Sequence, residues 1–174
     1  MNPSNLHRSL FALALLLISL PQAVFATAQF IETPYEKQKV VFDFYFDRPE
    51  KINSALYWLK GLIDPLMAEP YNYSPDDLDI KVVIHGTELV TLAKHNYAQY
   101  REAVERMEYY AALGVEFKVC QFAANDYGYR TEDFQEFVQV VPSALAELAH
   151  WQRQGYVMIA PRIQEKVFSI DEIR

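Results

Sequence analysis

Short apolar runs alternate along this chain with longer stretches in which apolar residues recur every three or four positions. The short runs are rich in β-branched and aromatic residues, as strands are, and they lie at 39–46, 80–84, 115–120, 138–141 and 156–159. The first run is apolar on both faces, which is typical of a central strand that is covered on both sides. The longer stretches have the repeat of helices with one buried face.

Capping and breaking residues predict where the helices begin and end. A first helix opens after Pro49 and closes at Pro65, and a second stretch begins at Thr87 as N-cap, breaks near 96 and ends before Gly114. Ser143 predicts the N-cap of the last helix, and Gly155 predicts its end. The residues expected to face inward in that helix are Leu145, Leu148 and Ala149. Between these, 123–128 has the chemistry of a loop and 131–137 that of a short helix.

Five strands that alternate with helices indicate βαβ units, and hence a three-layer α/β/α domain with a five-stranded parallel sheet. In such sheets ligands bind beyond the carboxyl ends of the strands. The positions to examine for chemistry are therefore those that follow each strand: 45–47, 85–87, 120–127, 141–143 and residue 160.

Composition narrows the class of protein. The 174 residues are 51% hydrophobic and 22% charged, as in an ordinary globular domain, and the net charge of −7 excludes the basic footprint of a protein that binds nucleic acid or an anionic membrane. Cys120 is the only cysteine, so the chain has neither an internal disulfide nor a cysteine-based zinc site.

The first 28 residues are typical of a secretory signal. Arg8 precedes an apolar run at 10–20, Pro21 breaks it, and small residues allow cleavage after Ala26 or Ala28. An uncleaved anchor is the alternative, although the run is only about half of the roughly 20 residues that span a membrane. We expect cleavage after Ala28, which leaves 29–174 as a single domain with a polar tail at 162–174. The predicted location is the periplasm, without membrane attachment after cleavage.

Familiar catalytic and metal-binding motifs are missing. No glycine-rich phosphate loop follows the first strand, no G-x-S-x-G elbow occurs, and the histidines form neither H-E-x-x-H nor a close pair. Asp76, Asp77 and Asp79 lack the glycine and the distal glutamate of a calcium loop, which favours a solvated turn. We therefore predict no cofactor and no metal.

Cys120 is the chain's only sulfur nucleophile. Many free cysteines are small buried core residues, but this one lies at the carboxyl end of a strand, before a polar segment. A reactive thiolate needs backbone N–H groups, a helix N-terminus or a cation beside it. Lys118 shares the side of Cys120 by strand alternation but lies two residues back. His85 is the better candidate because it ends another strand at the same edge.

Several segments, in this order and spacing, resemble the DsrE/DsrF-like family. They are Gly-Val-x-Phe-Lys-Val-Cys at 114–120, which is the most specific, and the segments 82–86, 140–148, 154–156 and 159–161. The resemblance implies the strand order 4-3-2-1-5 and assembly as trimers, hexamers or mixed oligomers. In that order strands 2 and 3 are neighbours, about 4.8 Å apart, so His85 and Cys120 approach. A flavodoxin-like order, 2-1-3-4-5, would separate them.

The resemblance also implies a function. Sulfur-relay members of the family carry sulfur as a persulfide on a cysteine, and Cys120 matches that position. The chain is then an exported sulfur carrier, a homo-oligomer that takes sulfane sulfur from a donor and passes it to a partner protein without a cofactor. The residues expected at its site are Cys120 and His85 for chemistry, and Tyr45, Gly86, Asn125, Asp126 and Tyr127 as pocket lining.

A second hypothesis needs no reactive thiol. In it the chain is a non-catalytic, oligomeric binding or scaffold protein, Cys120 belongs to the core, and the same pocket holds a small ligand. Whether the protein is an enzyme stays open between these two readings.

Overall fold

The strands form one parallel sheet at the centre of the molecule. The computed structural model describes residues 27–174, so most of the predicted leader lies outside the described residues. Residues 33–174 make one compact unit. Its strands are β1 (Gln38–Phe44), β2 (Leu78–Ile84), β3 (Glu116–Cys120), β4 (Val138–Val141) and β5 (Val157–Ile159). Its helices are α1 (Lys51–Met67), α2 (Tyr97–Ala112), α3 (Gln121–Asp126), α4 (Ala144–Arg153) and α5 (Ile170–Ile173).

The strand order is β4-β3-β2-β1-β5, and every neighbouring pair is parallel. The predicted α/β class and the order 4-3-2-1-5 are confirmed, and the flavodoxin-like order is excluded. Register aligns the strand ends, because Ile84 pairs with both Phe44 and Val119, and Cys120 pairs with Val141. Residues that follow these positions therefore emerge side by side at one edge of the sheet.

Helices cover both faces of the sheet. On one face the large apolar residues of β1 to β4 pack against α1 and α2 in the main core, with Phe42, Phe44 and Phe117 at its centre. On the other face a smaller cluster joins Val41, Val83 and Cys120 to α4. The main-core face is apolar, so α1 and α2 can bury it completely.

The face under α4 is partly polar. Lys81 and Lys118 are both nearly buried there and pair with Glu116, and Lys81 also pairs with Asp79 at 2.8 Å. The ring of Trp151 lies over both ammonium groups. The expectation that Asp79 belongs to a solvated turn is therefore wrong: it is a residue of β2, and its carboxylate belongs to this ion-pair network.

The predicted glycine and serine caps are confirmed. Gly114 and Gly155 both have positive φ at the position after the C-cap residue of α2 and α4, a conformation that glycine adopts without strain. The Ser143 hydroxyl accepts a hydrogen bond from the Ala146 N–H at 3.5 Å. Pro65 lies inside α1, and the helix continues to Met67.

Four further local predictions were wrong. The helix expected at 131–137 is only the 3-10 turn Thr131–Asp133. The segment after Cys120 begins as the helix α3 and not as a loop. Thr87 does not cap a helix with its side chain; it starts the 3-10 turn Thr87–Leu92, and its hydroxyl donates to the Phe46 carbonyl. Leu145 and Ala149 are exposed, because α4 begins at Ala144 and thereby turns positions 144 and 148 to the sheet.

Candidate functional site

A cleft of about 540 Å³ opens at the carboxyl ends of β1 to β4. At the end of each of these four strands, residues from the predicted position line the cleft. They are Tyr45, Phe46, Asp47, His85, Gly86, Thr87, Cys120, Phe122, Ala123, Asp126, Tyr127, Ser143, Ala144 and Leu145. The predicted pocket residues are thus brought together, with one exception. Asn125 is exposed on α3 and does not line the cleft, because its helical position directs it away from its neighbour Asp126.

Cys120 lies at the base of this cleft between two helix starts. It is the residue directly before α3, and its Sγ accepts a hydrogen bond from the Ala144 N–H, the first of α4, at 3.2 Å. The first N–H groups of a helix lack partners within the helix and carry partial positive charge. The sulfur therefore lies beside a backbone donor at the N-terminus of α4.

Lys118 does not supply a charge to the thiol. Its ammonium group lies 2.9 Å from Glu116 and donates to the Gln139 side chain at 2.6 Å. It belongs to the ion-pair network under α4. The positive charge beside the thiol is therefore the partial charge at the N-terminus of α4 and not the ammonium group of Lys118.

His85 faces the same cleft from the neighbouring strand. Because Ile84 pairs with Val119, His85 and Cys120 occupy adjacent positions at the ends of β2 and β3. The imidazole, however, is bound on the β1 side: its Nε2 lies 2.8 Å from Asp43 Oδ1, and the Tyr45 ring stacks on it with 4.9 Å between centroids.

The buried Glu88 carboxylate links the backbone next to His85 to the segment that follows β1. Glu88 accepts hydrogen bonds from the N–H groups of Phe46 and Gly86, each at 2.9 Å. Burial raises the pKa of Glu88 above its usual value, and the backbone donors act in the opposite direction. A side chain at Gly86 would meet Glu88 and the Phe46 backbone at 2.4 Å, so only glycine fits here.

The rim of the cleft is apolar and exposed. Tyr45, Phe122, Tyr127 and Leu145 all line the cleft and present large side chains to solvent. They come from three segments, namely the end of β1, α3 with the residue that follows it, and the start of α4, and they line the same cleft as Cys120. A rim of this composition suits contact with an apolar surface or ligand.

Three residues of the site were missed from the sequence. Asp43 is a carboxylate inside an otherwise apolar central strand, and that contrast was the available signal. Ala144 acts through its backbone N–H, which no residue type reveals. Phe122 lies directly before the segment 123–128 that was interpreted as a loop. Among the described residues, no group of histidine, cysteine and acidic side chains has the arrangement of a metal site.

Comparison with known proteins identifies the family. The model of the DsrE/DsrF-like family matches residues 37–161. The chain belongs to this family. No curated protein is significantly similar to it in sequence.

Two solved structures with DsrE-like folds resemble the chain. One is MTH1491 from Methanobacterium thermoautotrophicum, a protein of unknown function, with 21% identity, a TM-score of 0.57, and coverage of 71% of this chain and 99% of that one. The other is the ychN protein from E. coli, with 17% identity, a TM-score of 0.51, and coverage of 71% and 98%. At these identities the likeness establishes a shared fold.

Proposed function

We propose that this DsrE-like protein is an exported sulfur carrier that accepts sulfane sulfur on Cys120 as a persulfide and passes it to a partner protein. The proposed homo-oligomer works in the periplasm, where the leader pattern of residues 1–28 directs it. No helix in residues 27–174 is long and apolar enough to cross a membrane.

One observation carries the proposal: the Cys120 sulfur accepts the Ala144 N–H at the base of a cleft. A carrier cysteine must form a thiolate to attack a sulfur donor. The resulting persulfide is again an anion, and it lies beside the same Ala144 N–H group. The N-terminus of α4 stabilises negative charge in both states. No cofactor is needed, because the Cys120 side chain itself carries the transferred sulfur.

The test is the intact mass of the folded protein after incubation with polysulfide. We expect the wild type to gain the mass of one sulfur atom, dithiothreitol to remove it, and Cys120→Ser to gain nothing. A gain in Cys120→Ser, or none in the wild type, contradicts the proposal. Transfer is then measured by adding an acceptor protein thiol and following the loss of this mass from the carrier.

A second candidate function rests on the low exposure of the thiol. Only 4% of Cys120 is exposed, and it packs with Val83 and Leu148 in an apolar cluster. These contacts favour a structural cysteine in a binding or scaffold protein whose cleft holds a small ligand. The rate of iodoacetamide alkylation separates the two: a carrier thiol reacts in the folded protein, whereas a core thiol reacts only after denaturation.

A further inference from the structure

His85 is a second reactive group in the cleft besides the thiol, and it is paired with Asp43 on β1. Asp43 Oδ1 lies 2.8 Å from His85 Nε2, and both side chains are largely but not completely buried. A carboxylate only accepts hydrogen bonds, so Nε2 must be the donor. The neutral imidazole therefore carries its proton on Nε2, and Nδ1 is left unprotonated.

The orientation of the ring is held by its neighbours. Tyr45 stacks on it at an interplanar angle of 21°, and Asp43 occupies the Nε2 position. Burial raises the pKa of Glu88, in the turn after β2, and the nearby His85 acts on that carboxyl in the opposite direction. The other ionisable groups facing this cleft are Cys120 from β3, Asp126 from α3, Tyr127 directly after α3, and Asp47, which pairs with Lys51 at 2.7 Å.

We propose that Asp43 is a positioning residue, and that it holds His85 as the group that moves the proton during sulfur transfer. This inference rests on the proposed carrier function and adds a role that the thiol cannot perform alone. The register of β2 and β3 places His85 at the position next to Cys120, within the same cleft. Asp43 fixes the tautomer and stabilises the imidazolium that forms after proton uptake.

Transfer from a donor hydropersulfide, R–S–SH, conserves atoms and electrons. The Cys120 thiolate attacks the outer sulfur, a new S–S bond forms, the donor S–S bond breaks, and R–S⁻ leaves with the electron pair. The transferred sulfur brings its proton with it. A hydropersulfide is a stronger acid than a thiol, so Nδ1 of His85 takes this proton and gives it to R–S⁻. The products are R–SH and the Cys120 persulfide anion, with no net oxidation or reduction.

The experiment measures two rates on the full folded protein with N-acetylcysteine hydropersulfide as donor. Sulfur transfer to Cys120 is followed by quenched mass spectrometry, and iodoacetamide alkylation of Cys120 reports the thiolate alone. In His85→Gln and Asp43→Ala we expect transfer to slow at least about tenfold, while alkylation changes by less than about twofold. Asp64→Ala, on α1 at the opposite face of the sheet, is the matched control and should leave both rates unchanged.

A spectroscopic measurement separates positioning from mere loss of structure. The ¹⁵N shifts of His85 should show the Nε2–H tautomer in the wild type and a mixture of tautomers in Asp43→Ala. A wild-type ring with its proton on Nδ1 overturns the inference even if a variant fails to fold.

The remaining outcomes are also decisive. Unchanged transfer in both variants overturns the inference and leaves the carrier function in place. A parallel loss of alkylation and transfer overturns it as well, because His85 would then act on the thiolate itself. If the wild type takes no sulfur from the donor, the proposed function and this inference both fail.

Discussion

Individual residues of the site owe their properties to partners that are distant in the sequence. Cys120 receives a hydrogen bond from a residue 24 positions later, and His85 binds a carboxylate 42 positions earlier. In each case a strand end supplies the side chain and another segment completes its surroundings. The consequence is that single substitutions at the strand ends have strong and distinguishable effects.

Gly86 and Gly61 provide a matched pair for testing how tightly the cleft is built. A Cβ at Gly86 would lie 2.4 Å from the Phe46 N atom, whereas a Cβ at Gly61, which is exposed within α1, would meet nothing within 4 Å. We expect Gly86→Ala to lower the free energy of unfolding by about 1–3 kcal/mol. Gly61→Ala should raise it by about 0.5–1 kcal/mol. Urea unfolding measures both, and equal effects would contradict the described packing.

The raised pKa of Tyr156 predicts that the folded protein loses stability in alkaline solution. Burial and a hydrogen bond from its hydroxyl to Asp79 raise its pKa from 10 to about 12. The folded state thus favours the neutral phenol, and this contribution is complete below pH 10 and is lost as the pH rises towards 12. Tyr156→Phe should therefore lose less stability than the wild type between pH 9 and pH 12 in urea unfolding.

The control for this pH dependence is Tyr57→Phe, because Tyr57 is exposed on α1. Its stability should fall with pH as steeply as that of the wild type. A Tyr156→Phe curve parallel to the wild-type curve would show that this phenol does not ionise differently in the folded state.

At the scale of elements, the position of α4 decides the chemistry of the cleft. The helix begins at Ala144, directly after the Ser143 cap, so its first N–H reaches the Cys120 sulfur. The same helix covers the second face of the sheet through Ala144 and Leu148. One helix therefore both completes the core and supplies the donor for the thiolate.

Ala144→Pro tests this donor directly. Proline is tolerated at the first position of a helix, and Ser143 has the extended backbone that a residue before proline adopts. The variant removes the N–H that contacts the sulfur, so we expect iodoacetamide alkylation at pH 7 to slow about tenfold. Circular dichroism verifies that the helices are retained.

Ala146→Pro is the matched control for that variant. It lies in the same first turn of α4, where proline is tolerated, and its N–H contacts the Ser143 hydroxyl and not the sulfur. Its alkylation rate should stay within about twofold of the wild-type rate. Equal slowing in both variants would attribute the effect to the helix start as a whole and not to the Ala144 donor.

At the scale of the whole molecule, the exposed rim of the cleft is a candidate contact surface. Tyr45, Phe122, Tyr127 and Leu145 are all exposed and line the same cleft. Aromatic residues are enriched where proteins meet. The rim therefore has a composition that is typical of a protein contact surface.

The proposed homo-oligomer gives a separate prediction for residues 29–174. Light scattering coupled to size exclusion should report three or six times the protomer mass at micromolar concentration. Cys120→Ser should give the same mass, since a single buried thiol does not hold the subunits together. A monomer at all concentrations would contradict the prediction.

Local patterns in the sequence were sufficient for the architecture. Strand runs, helical repeats and the glycines after α2 and α4 depend on neighbours within a few residues, so they predict the elements and the parallel sheet without knowledge of the rest. The strand order came from the resemblance of segments such as 114–120 to a known family. Cys120 and His85 were found because strand ends gather at one edge.

Only the tertiary structure decided what surrounds these residues. Asp43 is the hydrogen-bond partner of His85, and α3 forms where a loop was expected. Lys118 forms an ion pair with Glu116 and does not contact the thiol. Each of these depends on side-chain direction and on contacts between segments far apart in the chain. The sequence by itself determined the five strands, the three longer helices α1, α2 and α4, and the edge of the sheet that carries the proposed chemistry. The packing of α4 and the register of β1, β2 and β3 determined which atoms meet there, because a hydrogen bond requires a geometry that local patterns do not encode.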